Sequence, residues 1–476
     1  MTRRLLTLLL ASSLVGCTTL EPKYTQPEAP VPTSWPIGDS YLRQSEAALP
    51  SVTYRDIFRD PRLQRLIDQA LVNNRDLRIA AANIESARAQ YRVQRSERLP
   101  QIAAGGDASV GGGGNGQGVS DRYSVDVGVS RFELDLFGRV RSLSRSALNQ
   151  YFATEAAARA TRLSLTGEIA TAYFTLAADR SLLAIARATE ANATRSAQLT
   201  GARLQGGIAS RIDLRQAQTI LEQARSDVAS RTSDAAQDRN ALQLLVGAPI
   251  SDADLPPSLE TVDTLVNELP AGLDSRILLR RPDVVEAEFQ LRAANARIGA
   301  ARAAFFPTIS LTGLLGLAST GLTGLFSTGA FNFNAGASAS VPIFDAGANR
   351  GNLQYARAQR ELFLARYEQA IQTAFREVSD ALARRGTIGA QFAAQTRLVA
   401  DAQDNYNLTQ ARYREGIENF LATLDAQRTL YSAQQSLVRT RLERATNLAS
   451  LYRTLGGDSL IDTASFDRPT FPLRGN

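Results

Sequence analysis

Residues 278–313 read LLRRPDVVEAEFQLRAANARIGAARAAFFPTISLTG, and this stretch decides the fold because its hydrophobic period changes at a proline. Up to Phe306, apolar residues and alanines recur at helical spacing, which predicts a helix. Pro307 ends that helix, because proline has no N–H to donate and its ring clashes with the preceding turn. Beyond it the period falls to about two residues, which places Ile309 and Ser310 on opposite faces of a strand.

A turn rich in glycine, serine and threonine over residues 319–329 leads into a return strand that alternates in the same way. Apolar side chains or alanines occupy the odd positions from Phe331 to Ile343, and polar residues or glycine lie between them. A new helix opens after Asp345. A hairpin over 307–345 with one apolar face, one polar face and strands of roughly ten residues is the unit of a transmembrane β-barrel. A half-buried hairpin of a soluble protein is the alternative.

The composition excludes several classes of function. The 476 residues include no histidine, one cysteine, and 53 basic against 47 acidic side chains. A serine–histidine triad is therefore impossible, and so is a zinc site of the Cys/His type. The basic residues are scattered along helices without a basic groove studded with aromatic residues, so we expect no nucleic-acid partner. No run of about 18 apolar residues occurs, so we expect no spanning helix.

The first residues are predicted to direct export and lipidation. Residues 1–16 have a basic start and an apolar centre, as an export signal does. The sequence LVGC at 14–17 resembles the bacterial lipobox, in which the cysteine takes a diacylglycerol. Cys17 is thus the predicted lipidation site, and we expect no cofactor besides this covalent lipid. Thr18, where aspartate would favour the inner membrane in that sorting pattern, favours the outer membrane. A signal peptide that merely contains a cysteine is the alternative.

The chain then follows the order tether, helix, hairpin. Residues 17–55 are proline-rich, so they are predicted to form an extended tether from the lipid to the body of the protein. Residues 56–99 are predicted to be helical up to Pro100. A further hairpin is predicted over 101–137, where the alternation shifts by one residue near Ser130, which indicates a β-bulge.

Each hairpin is followed by a helical stretch of unusual length. Residues 139–205 and 346–415 each correspond to roughly 100 Å of helix at about 1.5 Å per residue. Such lengths favour coiled-coil packing. Each stretch turns at glycine into a return helix, over 208–246 and 417–456, and the first return helix carries a heptad seam. An irregular equatorial segment is predicted over 247–272.

The pattern occurs twice, in a first repeat over residues 56–272 and a second over 273–457, before a polar tail at 458–476. Several residues recur 209 positions later without a gap: Arg203 and Arg412, Gly207 and Gly416, Gln218 and Gln427, Gly247 and Gly456. Chance similarity between heptad helices is the alternative. It does not account for the coincident glycine, proline and hairpin positions.

These features resemble the TolC-like outer membrane factor family, in its lipoprotein (OprM-like, NodT-type) branch. The most specific matches are RPDV from Arg281, the Phe306-Pro307 step, FELDLFGR at 132–139, and YREGIENFLATLDAQR at 413–428. The resemblance implies a membrane α+β fold. Four strands per chain would form a trimeric twelve-stranded barrel, and the helices would continue it as a periplasmic coiled-coil barrel. An oligomer is also required physically, since four strands are fewer than the minimum of about eight for an outer-membrane barrel.

The function implied by the resemblance is that of the outer-membrane channel of a tripartite efflux system. Such a channel is a passive exit duct for small molecules such as drugs and performs no chemistry. The implied partners are two further copies in a homotrimer, a periplasmic adaptor, an inner-membrane transporter of the RND class, and outer-membrane lipid. A structural envelope coiled-coil lipoprotein without channel activity is the alternative, and an enzyme ranks third.

The resemblance also implies a gate at the second helical turn. Leu421 and Asp425 would line the closed aperture, one as an apolar ring and the other as an acidic ring. They are four residues apart and therefore share a helix face. Tyr413 matches a tyrosine that links neighbouring helices, but the sequence does not assign its partner. Ala422 stands where some relatives carry a second acid. An ordinary surface acid is the alternative for Asp425.

The two turns between the long and return helices are predicted to dock an adaptor. Gly206, Gly207 and Gly416 allow tight turns, because glycine reaches backbone angles closed to other residues. Arg203 and Arg412 precede these glycines at matching positions of the two repeats.

Overall fold

A computed structural model of the chain describes residues 19–36, 53–112, 120–263 and 275–457. The predicted export signal, Cys17 and the tail 458–476 lie outside these residues. The chain divides into two compact units. One comprises residues 1–29, 82–156 and 285–369, and the other comprises 30–81, 157–284 and 370–476.

The first unit contains an antiparallel four-stranded sheet in the order β1-β2-β3-β4. Its strands are β1 Ala103–Gly111, β2 Ser120–Leu134, β3 Thr308–Ser319 and β4 Phe331–Ser340. Both predicted hairpins are present, and β2 also pairs with β3, so the hairpins lie side by side. The alternation in the sequence continues to Ile343, beyond the end of β4.

The strand register collects the apolar side chains on one face. Leu315 of β3 pairs with Val127 of β2 and with Phe333 of β4, while Ser310 pairs with Ser338 on the opposite face. The apolar face is open in the single chain, where Phe333 is 72% exposed. A large exposed apolar surface marks a contact with lipid or protein, and a transmembrane barrel presents such a face to lipid.

One extra residue on β2 keeps this face continuous. Val129 pairs with Gly313 and Phe132 pairs with Leu311, so β2 advances by one residue more than β3 between the two pairs. This is a β-bulge, and it returns Phe132 to the apolar face after the break in alternation. The bulge predicted near Ser130 is confirmed.

The helices complete two similar series of elements. They are α1 Tyr54–Ile57, α2 Pro61–Asn73, α3 Arg75–Ser96, α4 Arg139–Gln205, α5 Arg211–Val246, α6 Leu259–Asp263, α7 Pro282–Ala303, α8 Ala348–Arg414 and α9 Phe420–Thr454. Both α4 and α8 are 67 residues long. One window of α4 is apolar enough by composition to span a membrane, but half of that window is buried inside the chain.

Residues 56–99 are helical over most of their length, as predicted, but capping residues divide the stretch among three helices, and these breaks were not predicted. Pro61 begins α2, and the carboxylate of Asp60 accepts a hydrogen bond from the backbone two residues later. Asn74 separates α2 from α3, and its side-chain oxygen accepts from the backbone N–H of Asp76 at 2.8 Å. Asparagine and aspartate are favoured at N-caps, and proline is favoured just inside a helix.

The two repeats anchor their return helices with the same contact. In the first repeat, Asn74 donates a hydrogen bond from Nδ2 to the carbonyl of Leu245, near the end of α5, at 2.8 Å. In the second, Arg281 donates from Nη1 to the carbonyl of Thr454, the last residue of α9, at 3.0 Å. Leu245 and Thr454 are matching positions, 209 residues apart. The repeat predicted from the sequence therefore extends to individual contacts.

Arg281 is a buried cation in the second unit. It is 7% exposed, and its Nη2 lies 2.7 Å from Asp283 and 2.9 Å from Glu377. Burial lowers the pKa of Arg281, but the two carboxylates outweigh burial and the net shift is upward. A buried charge requires partners of this kind. The RPDV sequence thus marks a charged anchor at the start of α7.

The proline-rich segment has no helix or strand over residues 19–36, but it packs on the rest of the chain. In the first unit, Asn295 donates to the carbonyl of Pro22 at 2.8 Å. In the second unit, the ring of Trp35 stacks on Phe375 with centroids 5.0 Å apart. The segment that the sequence predicts to be a tether is therefore also a strap over residues 19–36, which side chains of the rest of the chain hold in place.

Arginine substitutions at two neighbouring positions test which face of β4 is turned to lipid. Ala337 pairs with Leu311 on the apolar face, and Ser338 pairs with Ser310 on the polar face. We expect Ala337→Arg to destabilise the barrel by about 2–4 kcal/mol near the bilayer midplane, because a charge on the lipid face is desolvated. Ser338→Arg should be tolerated. The free energy of unfolding in lipid measures both, and equal effects would show that the facing is misassigned.

Candidate functional site

The turns that end α4 and α8 have the same backbone geometry. Gly207 has a φ of 73° and Gly416 a φ of 77°, in the left-handed region that favours glycine. In each turn the next amide donates back to the carbonyl of an arginine: Ile208 to Arg203 at 2.8 Å, and Ile417 to Arg412 at 2.9 Å. This pattern ends a helix tightly and satisfies a free carbonyl.

The other glycine of the first turn, Gly206, does not have a positive φ. A side chain at Gly207 would meet nothing within 4 Å, so the backbone angle alone requires glycine there. The return helices start at matching caps, where Ser210 and Asn419 each accept a backbone N–H bond at 3.1 Å. The two tips are thus copies of one turn.

The two tip arginines have different partners despite their matching positions. Arg203 donates from Nη1 to the carbonyl of Tyr413 at 2.7 Å, and its guanidinium lies 4.7 Å from the centroid of the Tyr413 ring. Arg412 instead bonds Glu418 of its own turn at 2.8 Å. The position matching Glu418 in the first repeat is Ala209, so Arg203 has no local acid and reaches the other tip.

Tyr413 lies inside the chain. It is 6% exposed, and its hydroxyl is 3.2 Å from Oγ1 of Thr200 on α4. Its ring packs on Phe420 at 5.3 Å between centroids, beside Ala217 and Leu424. The partner that the sequence left unassigned is therefore Thr200, and the contact joins the first helical hairpin (α4 and α5) to the second (α8 and α9).

Leu421 and Asp425 lie together on the exposed face of α9. Leu421 is 59% exposed and Asp425 is also exposed, whereas Thr423 and Leu424 between them are buried. The opposite side of α9 is buried in the core of the same chain. This arrangement leaves one apolar and one acidic side chain exposed in adjacent turns of α9.

The structure adds apolar tip residues that the sequence analysis missed. Ile212 of α5 occupies the position matching Leu421 and is 69% exposed. Ile208 and Ile417 follow the turn glycines and are 71% and 65% exposed. The offset of 209 residues was a signal that could have found all of them. Exposed apolar side chains at both tips indicate a surface that another protein or copy covers.

Comparison with known proteins identifies the family. A family model described as outer membrane efflux protein matches residues 66–248 and 273–457, once in each repeat. The solvent efflux pump outer membrane protein SrpC of Pseudomonas putida is 45% identical over 458 residues, which cover 93% of this chain and 96% of SrpC. The cation efflux system protein CusC of Escherichia coli O6:H1 is 39% identical over 459 residues, with 95% and 98% covered.

A solved structure agrees with these sequences. The open state of the Neisseria gonorrhoeae MtrE outer membrane channel matches with a TM-score of 0.83 at 38% identity, covering 93% of this chain and 99% of that one. The chain belongs to the outer membrane efflux protein family. Its predicted fold class is confirmed, with four strands per chain in a trimeric barrel, long helices and an internal repeat. It is an outer-membrane channel subunit of an efflux system, as predicted.

Proposed function

We propose that three copies of this chain form a passive exit duct whose aperture is lined by Leu421 and Asp425. The observation that carries the proposal is their shared exposure on α9 beside the buried Leu424. Threefold repetition turns these side chains into an apolar ring next to an acidic ring. Apolar constrictions close by dewetting, and carboxylate rings favour cations.

The links between the hairpins oppose opening in this proposal. Three Asp425 carboxylates around a narrow aperture repel one another, so charge alone favours an open ring. The Tyr413–Thr200 contact and the bond from Arg203 to the Tyr413 carbonyl hold the second hairpin to the first. Closure then depends on these contacts exceeding the repulsion between the acids.

The proposed duct performs no catalysis and takes its driving force from elsewhere. The chain has no histidine, and an exit channel needs no reacting group. SrpC and CusC are components of an efflux pump and an efflux system. By analogy, a periplasmic adaptor would connect this channel to an inner-membrane transporter of the RND class. Small molecules would be selected there rather than in the duct.

The adaptor is proposed to dock at the two tips. Gly207 and Gly416 make both turns tight, and Ile208 and Ile417 expose apolar side chains beside them. A tight turn in which a glycine has no side chain and the next residue exposes an apolar one suits tip-to-tip packing of helical hairpins. Arg412, which is bonded to Glu418 on the surface, would lie at the rim of that contact.

The lipid is proposed to sit on Cys17 and to supplement the barrel as an anchor. One acyl chain binds a membrane only marginally, so stable attachment needs another element. The strap over residues 19–36 would bring the lipidated end back to the body of the chain, since its side chains and carbonyls are already held.

Channel recording tests the gate. Purified trimer in a planar bilayer should give discrete conductance steps. A structural lipoprotein without channel activity would give none. Asp425→Ala should weaken cation preference under a salt gradient, because the acidic ring is removed. Leu421→Ala should raise resting conductance by widening the constriction. Asp404→Ala removes an exposed acid of α8 outside the proposed gate and should match the wild type. Unaltered selectivity in Asp425→Ala would remove Asp425 from the pore.

Efflux assays with trimer quantification test the tips. Gly207→Val and Gly416→Val should abolish efflux, because a branched residue does not tolerate the left-handed backbone that shapes the turn. The local penalty is about 1–2 kcal/mol, too small to unfold the trimer. Gly207→Asn should retain efflux better than Gly207→Val, because asparagine tolerates that backbone. A loss of trimer parallel to the loss of efflux would show that the glycines serve folding.

Mass spectrometry tests the anchor. The mature protein should carry a lipid on Cys17. Cys17→Ser, exported with another signal, should lack the lipid yet still assemble in the outer membrane, because the barrel remains as an anchor. An unmodified Cys17 in the mature wild-type protein would refute the lipidation proposal.

A further inference from the structure

A cleft of about 620 Å³ lies in the second unit where α4 and α5 meet α8 and α9. Its volume is in the range of pockets that hold drug-sized molecules. Ile220 and Ala224 of α5, with Leu398 of α8 and Ala433 of α9, give it apolar walls. Each of the four helices contributes at least one residue, so an occupant would contact both helical hairpins.

Two glutamines in this cleft have polar atoms without hydrogen-bond partners in the described part of the chain. Gln427 is 8% exposed, and its Nε2 donates to nothing. The Oε1 of Gln395 is buried and accepts nothing. Buried amide groups are nearly always paired, because an unpaired donor or acceptor loses its hydration without compensation. An unpaired donor and an unpaired acceptor therefore belong to the lining of the cleft.

The charged residues of the lining indicate which molecule fits. Asp425 and Arg428 have no hydrogen-bond or ion-pair partner among the residues that the structure describes, although they are one turn apart on α9. Asp227 accepts hydrogen bonds from Tyr431 at 2.8 Å and from Gln223 at 2.9 Å. With two carboxylates and one guanidinium, the lining has a formal excess of negative charge. A cationic occupant is favoured over an anionic one.

The wall that contains Tyr431 is a fixed link between the hairpins. Burial and the neighbouring Asp227 raise the pKa of Tyr431 to about 12, so its hydroxyl stays protonated at neutral pH and donates to the carboxylate. This bond joins α9 to α5. The cleft is thus bordered by a hydrogen bond between α9 and α5, and the lining groups without a partner among the described residues are those of Gln395, Gln427, Asp425 and Arg428.

We propose that this cleft binds a small organic ammonium compound that carries a carboxamide and an apolar group. Gln427 donates to the carbonyl of the carboxamide, and Gln395 accepts from its N–H. The ammonium group lies at Asp425, and the apolar group rests on Ile220 and Ala224. Because the occupant contacts both hairpins, its binding stabilises the arrangement seen in this structure.

The test is a calorimetric titration of detergent-solubilised trimer with L-phenylalaninamide at about pH 6, where its α-amino group is protonated. N-acetyl-L-phenylalaninamide is the matched compound, since it keeps the ring and the carboxamide but has no positive charge. Saturable binding of the first compound is expected, with the second about tenfold weaker or worse, as for the loss of a hydrogen bond to a charged group. Asp425→Asn should remove most of that difference.

Gln427→Met tests the glutamine directly, because methionine has a similar length and no donor. Binding of L-phenylalaninamide should weaken about tenfold. The melting temperature should not fall, since the substitution removes an unpaired buried group. Gln434→Met makes the same change on α9 outside the lining and should bind as the wild type does.

Three results would overturn the proposal: no saturable binding to the wild type, equal affinity for the two compounds, or equal affinity of Gln427→Met and wild type. The first result would mean that only water occupies the cleft, the second that the positive charge is not recognised, and the third that Gln427 does not contact the compound. Binding is measured without conductance, so a negative result leaves the channel function intact. A trimer without conductance would equally leave the binding result intact.

Discussion

The unpaired edges of the four-stranded sheet constrain the rest of the molecule. In the order β1-β2-β3-β4, the outer sides of β1 and β4 carry backbone N–H and C=O groups without a partner in the sheet. Each such group costs several kcal/mol in hydrocarbon, so lipid-exposed edges do not occur. One chain has too few strands to close a barrel. The edges must therefore pair between copies, and the exposed apolar face is then turned to lipid.

Threefold assembly reduces what a single chain must supply at its aperture. Any side chain that faces the shared axis recurs three times, so one carboxylate per chain makes a ring of charge. In the proposed gate, the second hairpin needs only Leu421 and Asp425 on the exposed side of α9. The opposite side of α9 remains free to build the core with Phe420 and Leu424. The proposed gate and the core can therefore share the same two turns of one helix.

Local signals in the sequence were sufficient for most of the fold. Period, proline and glycine predicted both hairpins, and the phase shift near Ser130 predicted the bulge. These features depend on neighbours along the chain. The helix break at Asn74 was missed, because an isolated asparagine caps a helix only if its side chain turns back to the backbone. The stacking of Trp35 on Phe375 and the pairing of Tyr413 with Thr200 join residues that are far apart in the sequence. Such contacts produce no periodic pattern from which they could be predicted.

The repeat shows how one scaffold supports two different halves. Backbone positions are kept: the tips turn at matched glycines, and the return helices are held by matched carbonyls. The side chains at these positions have diverged. Asn74 holds α5 with a neutral amide, whereas Arg281 holds α9 with a guanidinium that also bonds Asp283 and Glu377. The half that carries the proposed gate therefore has the charged anchor.

The two ends of α9 are held by different sets of contacts, which in the proposed gate would set where the second hairpin opens. At Thr454 the helix is bonded to a buried cation that two carboxylates fix in place, and hydrogen bonds to charged groups are about twice as strong as neutral ones. Near its first turn, the neutral contact between Tyr413 and Thr200 and the bond from Arg203 to the Tyr413 carbonyl hold the adjoining turn. Local opening starts where few buried contacts resist it. Both ends are thus tied by an arginine, but only Arg281 is itself held by two carboxylates, so opening of the proposed gate would start at the end next to Leu421 and Asp425.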